Sequence, residues 1–181
     1  DKNNANASVE LKLNHSLAQI AFVVWKDNFF CEGVMSQIAI TDNTIPSNLK
    51  INKAGSNDLK MKLADGTFTG GETSSSITVT NIGNTINLTE NPGETPNDLK
   101  TKVNAYILLV PTVITDKTKI QFTFKIDSKD YIVSLTGATP ISFAQGNQYI
   151  FNVKLSGTAL SITSVTVTEW TRNYVGPIVI Q

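Results

Sequence analysis

Apolar and polar residues alternate along much of this chain, in short bursts separated by Gly, Pro, Asn and Asp. A period of two with turn signals between the bursts predicts strands that each have one wet face, and therefore an all-β fold. The cleanest burst is TKIQFTFKI at 118–126. There Ile120, Phe122, Phe124 and Ile126 share one side, and Lys119, Gln121, Thr123 and Lys125 the other. Residues 147–155 repeat the pattern with Tyr149, Phe151, Val153 and Leu155 inward. Further candidates are 9–13, 17–25, 34–40, 59–63, 76–80, 84–89, 103–110, 130–135 and 160–170. The rhythm predicts about ten strands in a β-sandwich formed as a single domain, with no helix longer than about three turns.

Two places break parity. Val9, Leu11, Leu13 and Leu17 are odd, whereas Ile20, Phe22 and Val24 are even, which predicts a bulge, a corner or one helical turn near Ala18. Helical spacing of Leu13, Leu17, Ile20 and Val24 competes, but the branched and aromatic AFVVW favours a strand. In 160–170 the apolar set moves from Leu160 and Ile162 to Val165 and Val167, so Thr163 and Ser164 are the expected bulge. No internal repeat at a fixed period is visible. Residues 91–101, NPGETPNDLKT, form the best exposed loop.

A chain of 181 residues suits one domain or two very small ones. Its 15 basic and 15 acidic residues cancel, and Arg172 is the lone arginine, so neither nucleic acid nor an anionic surface is an expected partner. One cysteine, Cys31, excludes an internal disulfide and any Cys-based zinc site; after NFF it reads as a small buried apolar group. No apolar run is long enough for a membrane helix, and the first residues lack the zones of a secretion signal, so a processing site or boundary with sequence upstream is expected.

Candidate chemistry is sparse. His15, the only histidine, shares parity with Leu11, Leu13 and Leu17, which predicts a packed, hydrogen-bonded side chain, and no nucleophile elbow accompanies it. No enzyme, cofactor or metal is expected. Asp42, Asp58, Asp127 and Asp130 lie in turns without an EF-hand pattern and read as Asx-type turn formers. Glycines 65–73 read as hairpin chemistry, not a phosphate cradle. Sequons at Asn6, Asn14 and Asn87 matter only in a eukaryotic secretory pathway. Trp25, Trp170, Tyr106, Tyr149 and Tyr174 would form a sugar platform only if several lined one groove; such aromatics are more often packing.

Four motifs carry a resemblance. VELKLNHSLAQIAFVV resembles the hydrophobic–x–His–small–Leu signature of the fimbrillin-like proteins of Bacteroidales, subunits of type V pili. AYILLVP at 105–111, the F–x–x–G–x–x–Y–x–F–x–V–x–L run from Phe143 to Leu155, and VTVTEW ending at Trp170 are similar to the same family in its order, over roughly residues 9–170. The resemblance implies two tandem transthyretin-like β-sandwich domains, with the histidine signature at the start of the second. Residues 1–181 would then be the C-terminal domain, with the N-terminal domain and lipoprotein signal outside it; Cys31 is not a lipobox residue. It further implies a non-enzymatic structural or tip subunit, exported to the cell surface as part of a fimbrium at the outer membrane. Such a subunit assembles with other fimbrial subunits by β-strand addition and acts in adhesion. A non-polymerising surface lipoprotein domain that binds glycan or host protein is the alternative.

The tail, TRNYVGPIVIQ, completes the reading. Tyr174, Val175, Ile178, Val179 and Ile180 are too apolar for a solvated linker, so 171–181 is expected to be a terminal strand. Pro177 restricts it to an edge. Family pilins whose C-terminal segments join neighbouring subunits make these five residues the candidate assembly site, docking in cis or in trans.

Overall fold

The computed structural model describes residues 8–9, 15–53, 55, 57–137, 139–157, 159–170 and 178–179. Among them the fold is all-β. Eight long strands build two four-stranded sheets: β1 (Ala18–Asp27), β2 (Val34–Asp42), β3 (Ser76–Thr85), β4 (Ala105–Leu109), β5 (Ile120–Ile126), β6 (Lys129–Ser134), β7 (Asn147–Ser156) and β8 (Ala159–Glu169). One sheet runs β8-β7-β1-β4 and the other β6-β5-β2-β3. Every neighbouring pair is antiparallel except β7 with β1. Short pairs decorate the connections: Lys50–Ile51 with Glu72–Thr73, Lys60–Met61 with Phe68–Thr69, and Thr112–Ile114 with Ile141–Phe143.

Period two places the core. Ile120, Phe122, Phe124 and Ile126 of β5 are fully buried and meet Phe22 of β1 and Phe151 of β7. Phe22 sits at the centre, edge-on to Phe122 at 5.0 Å and to Phe124 at 5.1 Å between centroids, and stacked on Phe151 at 5.7 Å. Rings in these geometries exceed simple area burial by about 0.5–1.5 kcal/mol per pair.

Strand β1 is buried on both faces, because it is central and its outer face is also covered. The cover includes α1 (Pro96–Lys100), capped by Thr95, whose hydroxyl accepts from the Asp98 amide. Pro96 begins it, where a missing N–H costs nothing. Leu99 then drops onto Ala21, Val23 and Ile150 as a second, smaller core. The expectation of an exposed loop over 91–101 is corrected here: five residues are too few for a visible helical period, yet one leucine seals a sheet face.

The second parity break has its predicted cause, and the first is neither a bulge nor a helical turn. Strand β1 starts at Ala18, so the first break is the chain's entry into the sheet. In β8 the register passes from Asn152↔Ser164 to Val153↔Ile162, leaving Thr163 bulged. Candidate 76–80 and the first two residues of candidate 84–89 are one strand, β3, carried through left-handed Asn81 and Gly83, with a register shift opposite Met35 and Gln37; residues 86–89 lie past its end and are not strand. Candidate 59–63 shrinks to Lys60–Met61, and of 9–13 residues 10–13 lie outside the described residues. The β5–β6 hairpin turns on Asp127 and Ser128, both at positive φ, as a two-residue turn requires.

Candidate functional site

Each terminal segment meets the sandwich beside an aromatic contact. His15 precedes β1 and Trp170 follows β8; their rings stack at 3.7 Å between centroids and 6° between planes. Both are half-buried. His15 is thus not the core-facing side chain that parity predicted. The chain has not yet entered β1 at residue 15, so a strand's alternation does not apply there, and the imidazole packs flat on the indole instead.

Of the five predicted assembly residues, Ile178 and Val179 form a two-residue strand antiparallel to Ser8–Val9, with pairs Ser8↔Val179 and Val9↔Ile178. This ladder is a sheet of its own, hydrogen-bonded to neither four-stranded sheet among the described residues. Tyr174, Val175 and Ile180 lie outside the described residues.

The aromatic set does not converge. Trp25 is buried on the outer face of β1 with the Lys154 ammonium 5.9 Å from its ring centroid. Tyr149 is buried in the main core, its hydroxyl accepting from the Ala144 amide at 2.7 Å. Tyr106 is 55% exposed on β4, Trp170 is engaged with His15, and Tyr174 is outside the described residues.

The turn aspartates bind backbone. Asp42, at the end of β2, accepts from the amides of Thr44 at 2.9 Å and Asn48 at 2.7 Å, and from Asn48 Nδ2 at 2.9 Å. Asp127 holds the amides of Gly33 at 2.9 Å and Val34 at 2.8 Å, tying the β5–β6 turn to the start of β2. Asp58 accepts from the Gly55 amide, whereas Asp130 is not in a turn as expected but lies exposed on strand β6, opposite Lys125. No group of three or more His, Cys, Asp or Glu side chains able to hold a metal occurs among the described residues. Burial pushes the Asp42 carboxyl up, but its hydrogen bonds from Thr44 and Asn48 outweigh this and hold it below the ordinary 3.8.

Cys31 is exposed, not buried. It lies beyond the end of β1, where Phe30 is 96% exposed while Phe29 turns back onto the main core and meets Tyr131 edge-on at 6.4 Å, so NFFC is a loop anchored by one phenylalanine and not a strand facing the core.

The sheet edges differ in chemistry. Edge β6 presents Lys129 and Asp130, and β4 spans five residues. Edge β8 spans eleven and is uncharged until Glu169. Sequence reasoning had not singled out β8 as an edge; the signal was the charge-free run from Ser156 to Thr168.

A family model described as fimbrillin-like matches residues 1–170, the family that the four motifs resemble. Two solved structures share the fold. One, a candidate cell adhesion protein from Bacteroides uniformis, has a TM-score of 0.53 at 12% identity, over 87% of this chain and 52% of its own. The other, a candidate cell adhesion protein from Bacteroides ovatus, has a TM-score of 0.55 at 15% identity, over 87% of this chain and 46% of its own. The chain spans about half the length of these structures. No curated protein matches it.

Proposed function

The chain belongs to the fimbrillin-like family, a family of structural, non-enzymatic proteins, and on that premise we propose that it is a structural or tip subunit of a bacterial surface fimbria. It reaches the cell surface by export, joins other fimbrial subunits by β-strand addition, and contributes to adhesion. The adhesion partner is a host surface protein or glycan. Residues 1–181 act as the C-terminal β-sandwich of the subunit, and the tail around Ile178 and Val179 is the donor strand.

The observation that carries strand addition is the state of the tail. Among the described residues, Ile178–Val179 is extended and paired with Ser8–Val9, outside both main sheets. A strand that lies outside the main sheets gains hydrogen bonds by docking along a free sheet edge, which is the driving force of β-augmentation. The glycan-binding alternative, a domain that does not polymerise, would need its aromatics in one groove, and Trp25, Tyr149, Trp170 and Tyr106 occupy separate sites.

Immunogold electron microscopy of intact cells, with antibody raised against this chain, tests the assignment. Gold along surface filaments is expected. Gold scattered over the cell body with none on filaments overturns the fimbrial role and leaves a non-polymerising surface domain.

A further inference from the structure

Strand β8 carries two valines that its own sandwich leaves open. Val165 and Val167 are register partners of Phe151 and Tyr149 on β7, so all four share the core-facing side. Phe151 and Tyr149 are buried, whereas Val165 and Val167 are 42% and 53% exposed. Leu160 and Ile162, earlier on the same strand, do pack against the core. The opposite sheet therefore covers the first half of β8 and not the second. The far edge of β8 has no strand partner among the described residues.

Other edges carry devices that blunt pairing. Strand β6 has Lys129 and Asp130; β3 is broken by left-handed Asn81 and Gly83; β4 is short and has Pro111 two residues past its end. The Thr163 bulge protects the first half of β8 only. Residues 164–168, SVTVT, have neither charge nor proline.

We infer that this edge is a contact site for a second copy of the chain, joined β8 to β8 across a two-fold axis at Thr166. The sequence is self-complementary in that register: Val165 faces the partner's Val167, Val167 faces the partner's Val165, and Thr166 faces its own counterpart. Four half-exposed valines then close into one cluster on the core side of a continuous sheet. On the outer face the exposed Glu94 sits beside the axis, its carbonyl accepting from Thr166 Oγ1 at 3.0 Å, on the side away from the valine cluster. The chain is neutral overall, and the two Glu169 side chains fall opposite residue 163 of the other copy, six residues or about 20 Å apart, beyond the screening length at physiological salt. The contact is lateral, uses no tail residue, and goes beyond the strand-addition reading. A five-residue ladder is weak alone and gains strength when many copies are displayed together.

Cross-linking tests it in the full chain with Cys31→Ser, which removes the one exposed native thiol. Thr166→Cys puts two thiols at the axis, where cross-strand Cα atoms about 4.5–5.5 Å apart fit a disulfide. Mild oxidation is expected to give a covalent dimer, and adding Val167→Lys is expected to cut its yield about tenfold by placing charge in the valine cluster. Thr80→Cys, exposed on edge β3, is expected to stay monomeric. Melting curves confirm that each variant is folded; Val167→Glu replaces Val167→Lys if the latter is not. A Thr166→Cys dimer yield no higher than that of Thr80→Cys, or one indifferent to Val167→Lys, overturns the inference. Tail-dependent assembly that persists in Val167→Lys leaves the fimbrial reading standing when this one falls.

Discussion

Asp42→Ala should be among the most damaging changes at a charged residue. The side chain is 1% exposed, and its two oxygens gather Thr44 N, Asn48 N and Asn48 Nδ2, with Ser47 Oγ at 3.4 Å. These bonds fold residues 43–48 back so that Leu49 enters the core. Removing the carboxylate strands three N–H donors. Each stranded donor costs about 1–3 kcal/mol if it stays dry, but the loop is partly open to water, so the sum is set at about 2–4 kcal/mol. For a domain of this size that is about 4–16 °C in melting temperature. Asp42→Asn keeps one acceptor and turns an amide toward the Asn48 donors, and should lose about half as much.

The pH dependence follows from the direction of the shift. The folded pKa of Asp42 is lowered from 3.8, so its contribution is present above that value and fades as pH falls through the depressed folded pKa. The stability gap between wild type and Asp42→Asn should therefore narrow as urea melts are taken to pH values below 3.8, through the depressed folded pKa at which the wild-type carboxyl protonates. A loss under about 2 °C for Asp42→Ala, or a gap that stays constant over that range, would refute the reasoning.

Three further outcomes are expected. Leu99→Ala uncovers the outer face of β1 and β7 and should cost about 2–4 kcal/mol in urea unfolding, whereas a loss below about 1 would show that α1 is not a real cover. His15→Ala removes the stack on Trp170 and should cost about 0.5–1.5 kcal/mol, most of it restored by His15→Phe; if phenylalanine restores nothing, the imidazole contributes by hydrogen bonding instead. Cys31 should react with a thiol reagent in the native protein at nearly the rate of a small free thiol, and protection until unfolding would contradict its exposure.

How far the sequence carried the fold depended on how many residues each signal occupied. Strands β5 and β7 were legible because seven or more alternating residues cannot be mistaken for a helix, and the Thr163 bulge because a parity change inside a strand has few other causes. Helix α1 was illegible: its five residues hold one buried leucine, and its cap chemistry, Thr95–Pro96–Asn97–Asp98, reads equally well as a loop. Cys31 and His15 were misplaced for one reason. Local apolar neighbours were taken as evidence of core, but Phe29 and Phe30 lie past the end of β1 and residue 15 lies before its start, where alternation carries no information about facing. The open valines of β8 needed the structure, since nothing local says where the opposite sheet stops.

Strand addition by the tail is tested most directly by deleting residues 172–181. The eight strands of the two sheets are complete by Glu169, and among the described residues Ile178–Val179 pairs with neither sheet, so the truncated chain should melt within about 3 °C of the full chain. Mixed with full-length fimbrial subunits, it should no longer be incorporated as a donor, and filaments should end where it enters. Truncated chains that polymerise as well as full-length ones, or that unfold because the tail completes their own sandwich, would contradict the donor role.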